Sequence, residues 1–209
     1  MTTIAVLDYG MGNLRSVCKA IEHVAPRAQV RLAHTPEEVR RADRVVFPGQ
    51  GAIGGCVRAL DEAGLRDALL ESLKTKPFLG ICLGLQALYA HSEEGGGTPG
   101  LGVLAGRVRR FNPPDETLKI PHMGWNQVRQ ARPHPLWRGI ADNARFYFVH
   151  SYYAETADPG CVAGVTDYGQ RFTSAAAREN IFAVQFHPEK SQQAGLQLLT
   201  NFVAWEGHA

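Results

Sequence analysis

Along the first ninety residues the apolar positions switch between two spacings. "TIAVLDY" is a short β-branched run that stops at "GMGN". After it, "LRSVCKAIEHV" puts Leu14, Val17, Cys18, Ile21 and Val24 on one stripe, because residues three and four apart share a helical face. "AQVRLA" reads as a second strand and leads into "TPEEVRRA", where Thr35 caps, Pro36 takes the first helical position and Glu38 closes a capping box. The cycle repeats with "DRVVFPG", a glycine-rich loop, a helix from about Cys56 to Lys74, the run "PFLGI" and another helix from about Leu83. Short strands alternating with helices imply βαβ units, and hence a mainly parallel sheet covered on both faces.

The second half has a different rhythm. From Gly102 to Gln185 the spacing is mostly that of strands: "GRVRRF", "ARFYFVHSYYAE", "CVAGVTDY", "FTSAAARE" and "NIFAVQFHP", separated by turns rich in Pro, Gly and Asp. Antiparallel additions to the sheet are expected there. A last helix, "SQQAGLQLLTNFVAW", is expected to turn Leu196, Leu199, Val203 and Trp205 inward. No repeat, low-complexity tract or long linker divides the chain, so residues 1–209 read as a single domain. The fold class is α/β: an open, mostly parallel central sheet with helices on both faces and antiparallel strands added in the second half.

Composition narrows the function. With 44% hydrophobic and 20% charged residues the chain is an ordinary globular one. Its formal charge is +2, and the densest basic cluster, "RVRR" at 107–110, lacks flanking aromatic stacking residues, which speaks against nucleic acid as a partner. "MTTIAVLDYG" has no basic leader and its apolar run ends at Asp8, so it reads as neither a signal peptide nor a membrane span, and a cytoplasmic location is expected. The four cysteines, Cys18, Cys56, Cys82 and Cys161, form no CxxC pair. A zinc knuckle and a disulfide framework are disfavoured, and no metal site is expected.

One cysteine stands in a special frame. In "PFLGICLGLQALYA" a strand ending at Ile81 and a helix starting near Leu83 leave Cys82 alone for the turn, between Gly80 and Gly84. That is the pattern of a nucleophile elbow with cysteine in place of serine. A helix amino terminus favours thiolate, and the N–H of Leu83, just after the sulfur-bearing residue, can meet a developing oxyanion. Taken by itself the segment also fits a small buried core residue, so it needs a base. Of eight histidines, His23, His34, His91, His134 and His208 sit in polar or terminal contexts. His187 instead ends the apolar strand "IFAVQF" and precedes Pro188 and Glu189, so a carboxylate can fix the imidazole tautomer while the other ring nitrogen faces a thiol. By itself "HPE" also fits a solvated turn. "VVFPGQGAIGG" adds Gly49 and Gly51, whose backbone can approach a substrate oxygen, and "QALYAHSEEGG" adds Gln86 and Glu94, able to hold an amino-acid head group.

"PGQG", "GICLGLQ" and "HPEKS" stand in the order and spacing of the oxyanion, nucleophile and His-x-Glu blocks of class I glutamine amidotransferases, and the chain resembles that family over nearly its whole length. Three further stretches, "LDYGMGNLRSV", "KIPHMGWN" at 119–126 and "FYFVHSYY" at 146–153, resemble the HisH-type glutaminase subunits of imidazole glycerol phosphate synthase. The resemblance implies a flavodoxin-like sheet, with Cys82 as nucleophile, His187 as acid–base and Glu189 as its orienter. It puts the backbone of Gly49, Gly51 and Leu83 around the oxyanion, and Gln86, Glu94, Ser151 and Tyr152 around bound glutamine. No cofactor is implied. The implied partner is a HisF-type (β/α)₈ cyclase, docked through Met123, Trp125 and Asn126 with Tyr147 and Tyr153. The chain departs from the family pattern at Gln50, where valine is common. Another class I amidotransferase pathway, a stand-alone cysteine hydrolase and a non-enzymatic binding module are the competing readings.

Overall fold

A computed structural model describes residues 1–113 and 117–208 of the chain. The first half runs β1 (Thr3–Leu7), α1 (Leu14–Val24), β2 (Gln29–Ala33), α2 (Pro36–Arg41), β3 (Arg44–Gly49), α3 (Ile53–Glu62), α4 (Arg66–Thr75), β4 (Phe78–Cys82) and α5 (Leu83–Gln86). Then come β5 (Tyr89–Ser92), β6 (Thr98–Pro99), β7 (Leu104–Arg110), β8 (His122–Gln130), β9 (Ala144–His150), β10 (Tyr152–Thr156), β11 (Val162–Asp167), β12 (Arg171–Arg178), β13 (Ile181–Val184) and α6 (Gln192–Ala204). Among the described residues the strands form one connected sheet in the order β2, β1, β3, β4, β13, β12, β10, β7, β5, β6, with β11, β8 and β9 branching from β12.

The half from β2 to β13 is parallel throughout. Beyond β13 every pairing is antiparallel except that of β5 with β7. Strand alternation divides the core between the two faces. Ile4 and Val6 pack with Val17 and Ile21 of α1 and with Leu198, Leu199 and Phe202 of α6. Ala5 and Leu7 pack with Val39 of α2, Ile53, Cys56 and Leu60 of α3, and Leu69 and Leu73 of α4. Helices therefore cover both faces, as the βαβ rhythm requires. The capping box of α2 is present, with the Thr35 side chain accepting from the Glu38 N–H and Glu38 accepting in return.

Four expectations need correction. The helix drawn from about Cys56 to Lys74 is two helices, because Gly64 adopts φ 65° and the Leu65 N–H reaches back to the Leu60 carbonyl, ending α3 in a Schellman turn. The helix beginning at Leu83 stops after Gln86, and the following apolar residues feed β5 alongside β7. "ARFYFVHSYYAE" is two strands broken at Ser151, since β9 pairs with β8 whereas β10 pairs with β7 and β12. In α6 the deepest residues are Gly195, Leu198, Leu199 and Phe202, while Leu196 and Val203 lie half-buried at the flanks; Trp205 is buried as expected. β8, β5 and β6 have no counterpart in the sequence reading. No helix among the described residues is long and apolar enough to cross a membrane.

Candidate functional site

The elbow forms where β4 ends. Cys82 takes φ 55° and ψ −105°, a conformation that costs a non-glycine residue on the order of 1–3 kcal/mol and persists only when its surroundings enforce it. The flanking glycines do that. A Cβ on Gly84 would drive into the Phe47 carbonyl of β3, and one on Gly80 would come within 2.9 Å of the Gly84 oxygen. The bend thus passes between two backbones that only glycine lets approach. Because α5 has four residues, it offers free N–H groups next to the sulfur but little macrodipole.

Register brings the remaining groups to the same end of the sheet. Gly49 pairs with Cys82 across β3 and β4, while Ala183 and Val184 of β13 pair with Gly80 and Ile81. His187, three residues beyond Val184, is carried past the same carboxyl ends, where open α/β sheets hold their ligands. Its backbone is pinned twice: its N–H donates to the Tyr147 carbonyl at 2.9 Å, and its carbonyl accepts from Ser191 Oγ at 2.6 Å.

The imidazole Nδ1 lies 2.8 Å from Glu189 Oε1, with both side chains almost wholly buried. Nε2 is buried without a hydrogen-bond partner. Burial pulls the ring's pKa down, but the charge on the neighbouring Cys82 sulfur and then Glu189 outweigh it and push it up to about 10. With Glu189 Oε1 against Nδ1 the ring is held in one orientation, and its other nitrogen, Nε2, is left for a partner in the cavity.

A cavity of about 480 Å³ opens over the sulfur, lined among others by Gly51, Leu83, Gln86, Glu94, Ser151, Tyr152 and His187. Every glutamine-site and oxyanion residue expected from the sequence lines it except Gly49, which pairs beside Cys82 at the end of β3. Tyr9 donates from its hydroxyl to the Pro48 carbonyl at 2.9 Å. Glu94 Oε2 accepts from the Ile53 N–H at 2.8 Å, supplying α3 with the cap that Ala52 cannot. The glycine loop is thus held at both ends, with exposed Gln50 and Gly51, at φ 92°, between the clamps.

Outside the cavity, Met123 is 62% exposed and Trp125 42% exposed on β8, and Asn126 is half-buried. Trp125 packs edge-on against Tyr147 of β9. Tyr153 does not join this face: it is buried against Phe111 and Phe172, because β10 turns it into the core. His134 is likewise buried, against Phe182 and Trp205, with Nδ1 accepting from the Leu136 N–H, rather than in a polar context.

The sequence reading passed over Gln185, Ser191, His150 and His122. Gln185 Nε2 lies 3.6 Å from the Cys82 sulfur. His150 lines the cavity, and its Nε2 sits 2.9 Å from His122 Nδ1. Burial pushes His150 down to about 3 and His122 down to about 4, so both rings are neutral. A usable signal was present for Gln185, a polar residue inside the apolar run "IFAVQF".

The glutamine amidotransferase class-I family model matches residues 5–205, and the chain belongs to that family. Within it the near relatives are HisH subunits of imidazole glycerol phosphate synthase. The one from Aromatoleum aromaticum is 59% identical over 98% of this chain and 99% of its own length. That from Dechloromonas aromatica is 61% identical over 98% and 97%. The chain belongs with these HisH-type subunits. Among solved structures, PurLQS from Thermotoga maritima superposes with a TM-score of 0.75 over 97% of this chain and 98% of that one, at 16% identity, a likeness of fold alone.

Proposed function

We propose that this chain is the glutaminase subunit of an imidazole glycerol phosphate synthase, built as one amidotransferase domain over residues 1–209 and working in the cytoplasm. The observation that carries the reading is Cys82, held at positive φ in a cavity it shares with the Glu189-backed His187.

The chemistry follows from the groups present. The Cys82 thiolate attacks the side-chain carbonyl of glutamine; a C–S bond forms and the carbonyl π pair moves to oxygen. The N–H of Leu83 and the Gly49–Gly51 loop receive that oxyanion. Collapse breaks the C–N bond, and His187 gives its Nε2 proton to the departing nitrogen. Acylation also removes the sulfur charge that held the imidazole pKa up, so burial then draws the ring toward neutrality. Neutral His187 takes a proton from water as water attacks the thioester, and glutamate leaves. Gln86, Glu94, Ser151 and Tyr152 hold the amino-acid head group.

The ammonia is consumed elsewhere, since every site residue named serves glutamine. In this reading a HisF-type (β/α)₈ cyclase takes it and makes imidazole glycerol phosphate and AICAR. Met123, Trp125 and Asn126 form the docking face, supported by Tyr147; exposed aromatic and Met side chains suit the buried centre of an interface. Pro121, one residue before β8, lines the catalytic cavity, so this face borders the site where ammonia is released.

The test is synthesis by the two-subunit complex. Cys82→Ala should abolish glutamine-dependent product formation and leave ammonia-dependent formation intact. Loss of both, or glutamine turnover surviving in the variant, would contradict the reading.

A further inference from the structure

Gln185 is fully buried in a run of buried apolar residues from Ile181 to Phe186, where an amide is costly unless both of its ends are hydrogen-bonded. Both ends are. Gln86 Nε2 lies 3.0 Å from Gln185 Oε1, and Gln185 Nε2 lies 3.6 Å from Cys82 Sγ.

The direction of this chain of contacts is fixed by a backbone carbonyl. The Tyr152 oxygen can only accept, so the Gln86 atom 2.8 Å from it is the NH₂ group. That same nitrogen faces Gln185, whose near atom must then be oxygen. The far atom, against the sulfur, is therefore a donor. His150 Nδ1, 2.7 Å from the same carbonyl, must also donate, and His122 then donates to His150 Nε2 and accepts from Asn126. Each member of the row is satisfied in one orientation only. An N–H at this distance is a weak partner for a neutral thiol and a stronger one for a sulfur anion.

We infer that Gln185 is part of the catalytic machinery: its side-chain amide donates to the Cys82 sulfur and holds it as the anion before attack on glutamine. Its orientation is set by Gln86 and the Tyr152 carbonyl. The inference rests on the glutaminase reading for its purpose, but its test does not need glutamine.

In the full-length chain, Gln185→Met keeps the volume and removes the donor, while Gln185→Glu replaces the donor with an acceptor. Alkylation of Cys82 by iodoacetamide, followed by peptide mass across pH, reads the sulfur directly. In Gln185→Met the midpoint should move to higher pH by about one unit and the rate at pH 7 should fall about tenfold, as expected for loss of one hydrogen bond to a charged group. Gln185→Glu should be slower still. Thermal unfolding reports whether each variant is folded. A folded Gln185→Met chain with an unchanged midpoint and rate would overturn the inference. A second measurement needs no substitution at Gln185: in ¹⁵N-labelled protein its side-chain amide resonance should move when Cys82→Ala removes the acceptor, and a resonance that stays put would equally overturn it. Wild-type protein that alkylates as expected yet turns over no glutamine with its partner would instead defeat the proposed function.

Discussion

Glu189→Gln isolates the charge behind the base from the hydrogen bond it makes. The glutamine oxygen can still accept from Nδ1, so the ring stays in place, but the negative charge 2.8 Å from it is gone. Glu189 Oε2 has no partner, so the carboxylate's desolvation is offset mainly by the imidazolium. Two charges about 4 Å apart at an effective dielectric near 20 interact by about 4 kcal/mol, which bounds the loss at roughly 10³-fold. A fall of about 10²–10³-fold in kcat is expected. KM should change little, because Glu189 does not line the glutamine cavity. Glu189 is one of the influences raising His187 to about 10, so its neutralisation lowers that value, and the alkaline limb of the rate profile should move to lower pH. Glutamate release by the complex with its nucleotide acceptor, followed from pH 6 to pH 10, measures both effects. A variant within threefold of wild type and with an unshifted alkaline limb would refute the assignment of Glu189.

Gly84→Ala should leave little folded, active protein, because the new methyl meets the Phe47 carbonyl inside a fully buried strand; a destabilisation of about 3 kcal/mol or more is expected in urea unfolding, and a variant within 1 kcal/mol of wild type would contradict the packing. Trp125→Asp should weaken cyclase binding about 10–100-fold in calorimetry while Cys82 in the isolated chain alkylates at the wild-type rate, since Trp125 lies outside the catalytic cavity; unchanged affinity would remove this face from the interface. Burial holds His122 and His134 down at about 4 and His150 down at about 3, below the ordinary value near 6.5. Their contribution to stability is present above 6.5 and is lost as pH falls from there through 4 and 3. Near pH 5 the unfolded chain binds about three more protons at these rings, giving a slope of about 4 kcal/mol per pH unit. Urea midpoints that stay flat between pH 7 and pH 5 would contradict this.

The parallel half was legible because its signals are local: β-branched runs, the Thr35–Glu38 box and a helical stripe each act within a few residues. The same locality hid β8. Its exposed face begins with Met123 and Trp125 before the polar Gln127 and Arg129, so alternation was obscured where the surface is apolar. Tyr153 was misjudged for the related reason that the break at Ser151 shifts which residues of "FYFVHSYY" face inward. That Cys82, His187 and Glu189 come together was legible because each carries a positional mark: glycines around Cys82, and proline between His187 and Glu189. His150 carries no such mark, and Gln185 only that of a polar residue in an apolar run. Their setting is created by strands distant in sequence, β8 beside β9 and β13 beside β4.

That contrast follows from how the site is assembled. Sulfur, loop and imidazole sit at the carboxyl ends of three strands, β4, β3 and β13, whose mutual register is set by the apolar residues that fill both cores. A slip of one residue in β13 would invert its faces, exchanging Phe182 and Val184 with Ala183 and the neighbouring Ile181 and burying the wrong pair against α6. It would also move Gln185 and His187 to the other side of the sheet from the sulfur. The packing that stabilises the sheet therefore fixes the geometry of the chemistry at its end. The glycines at 80 and 84 are required because that same tight packing presses β3 and α5 against the elbow.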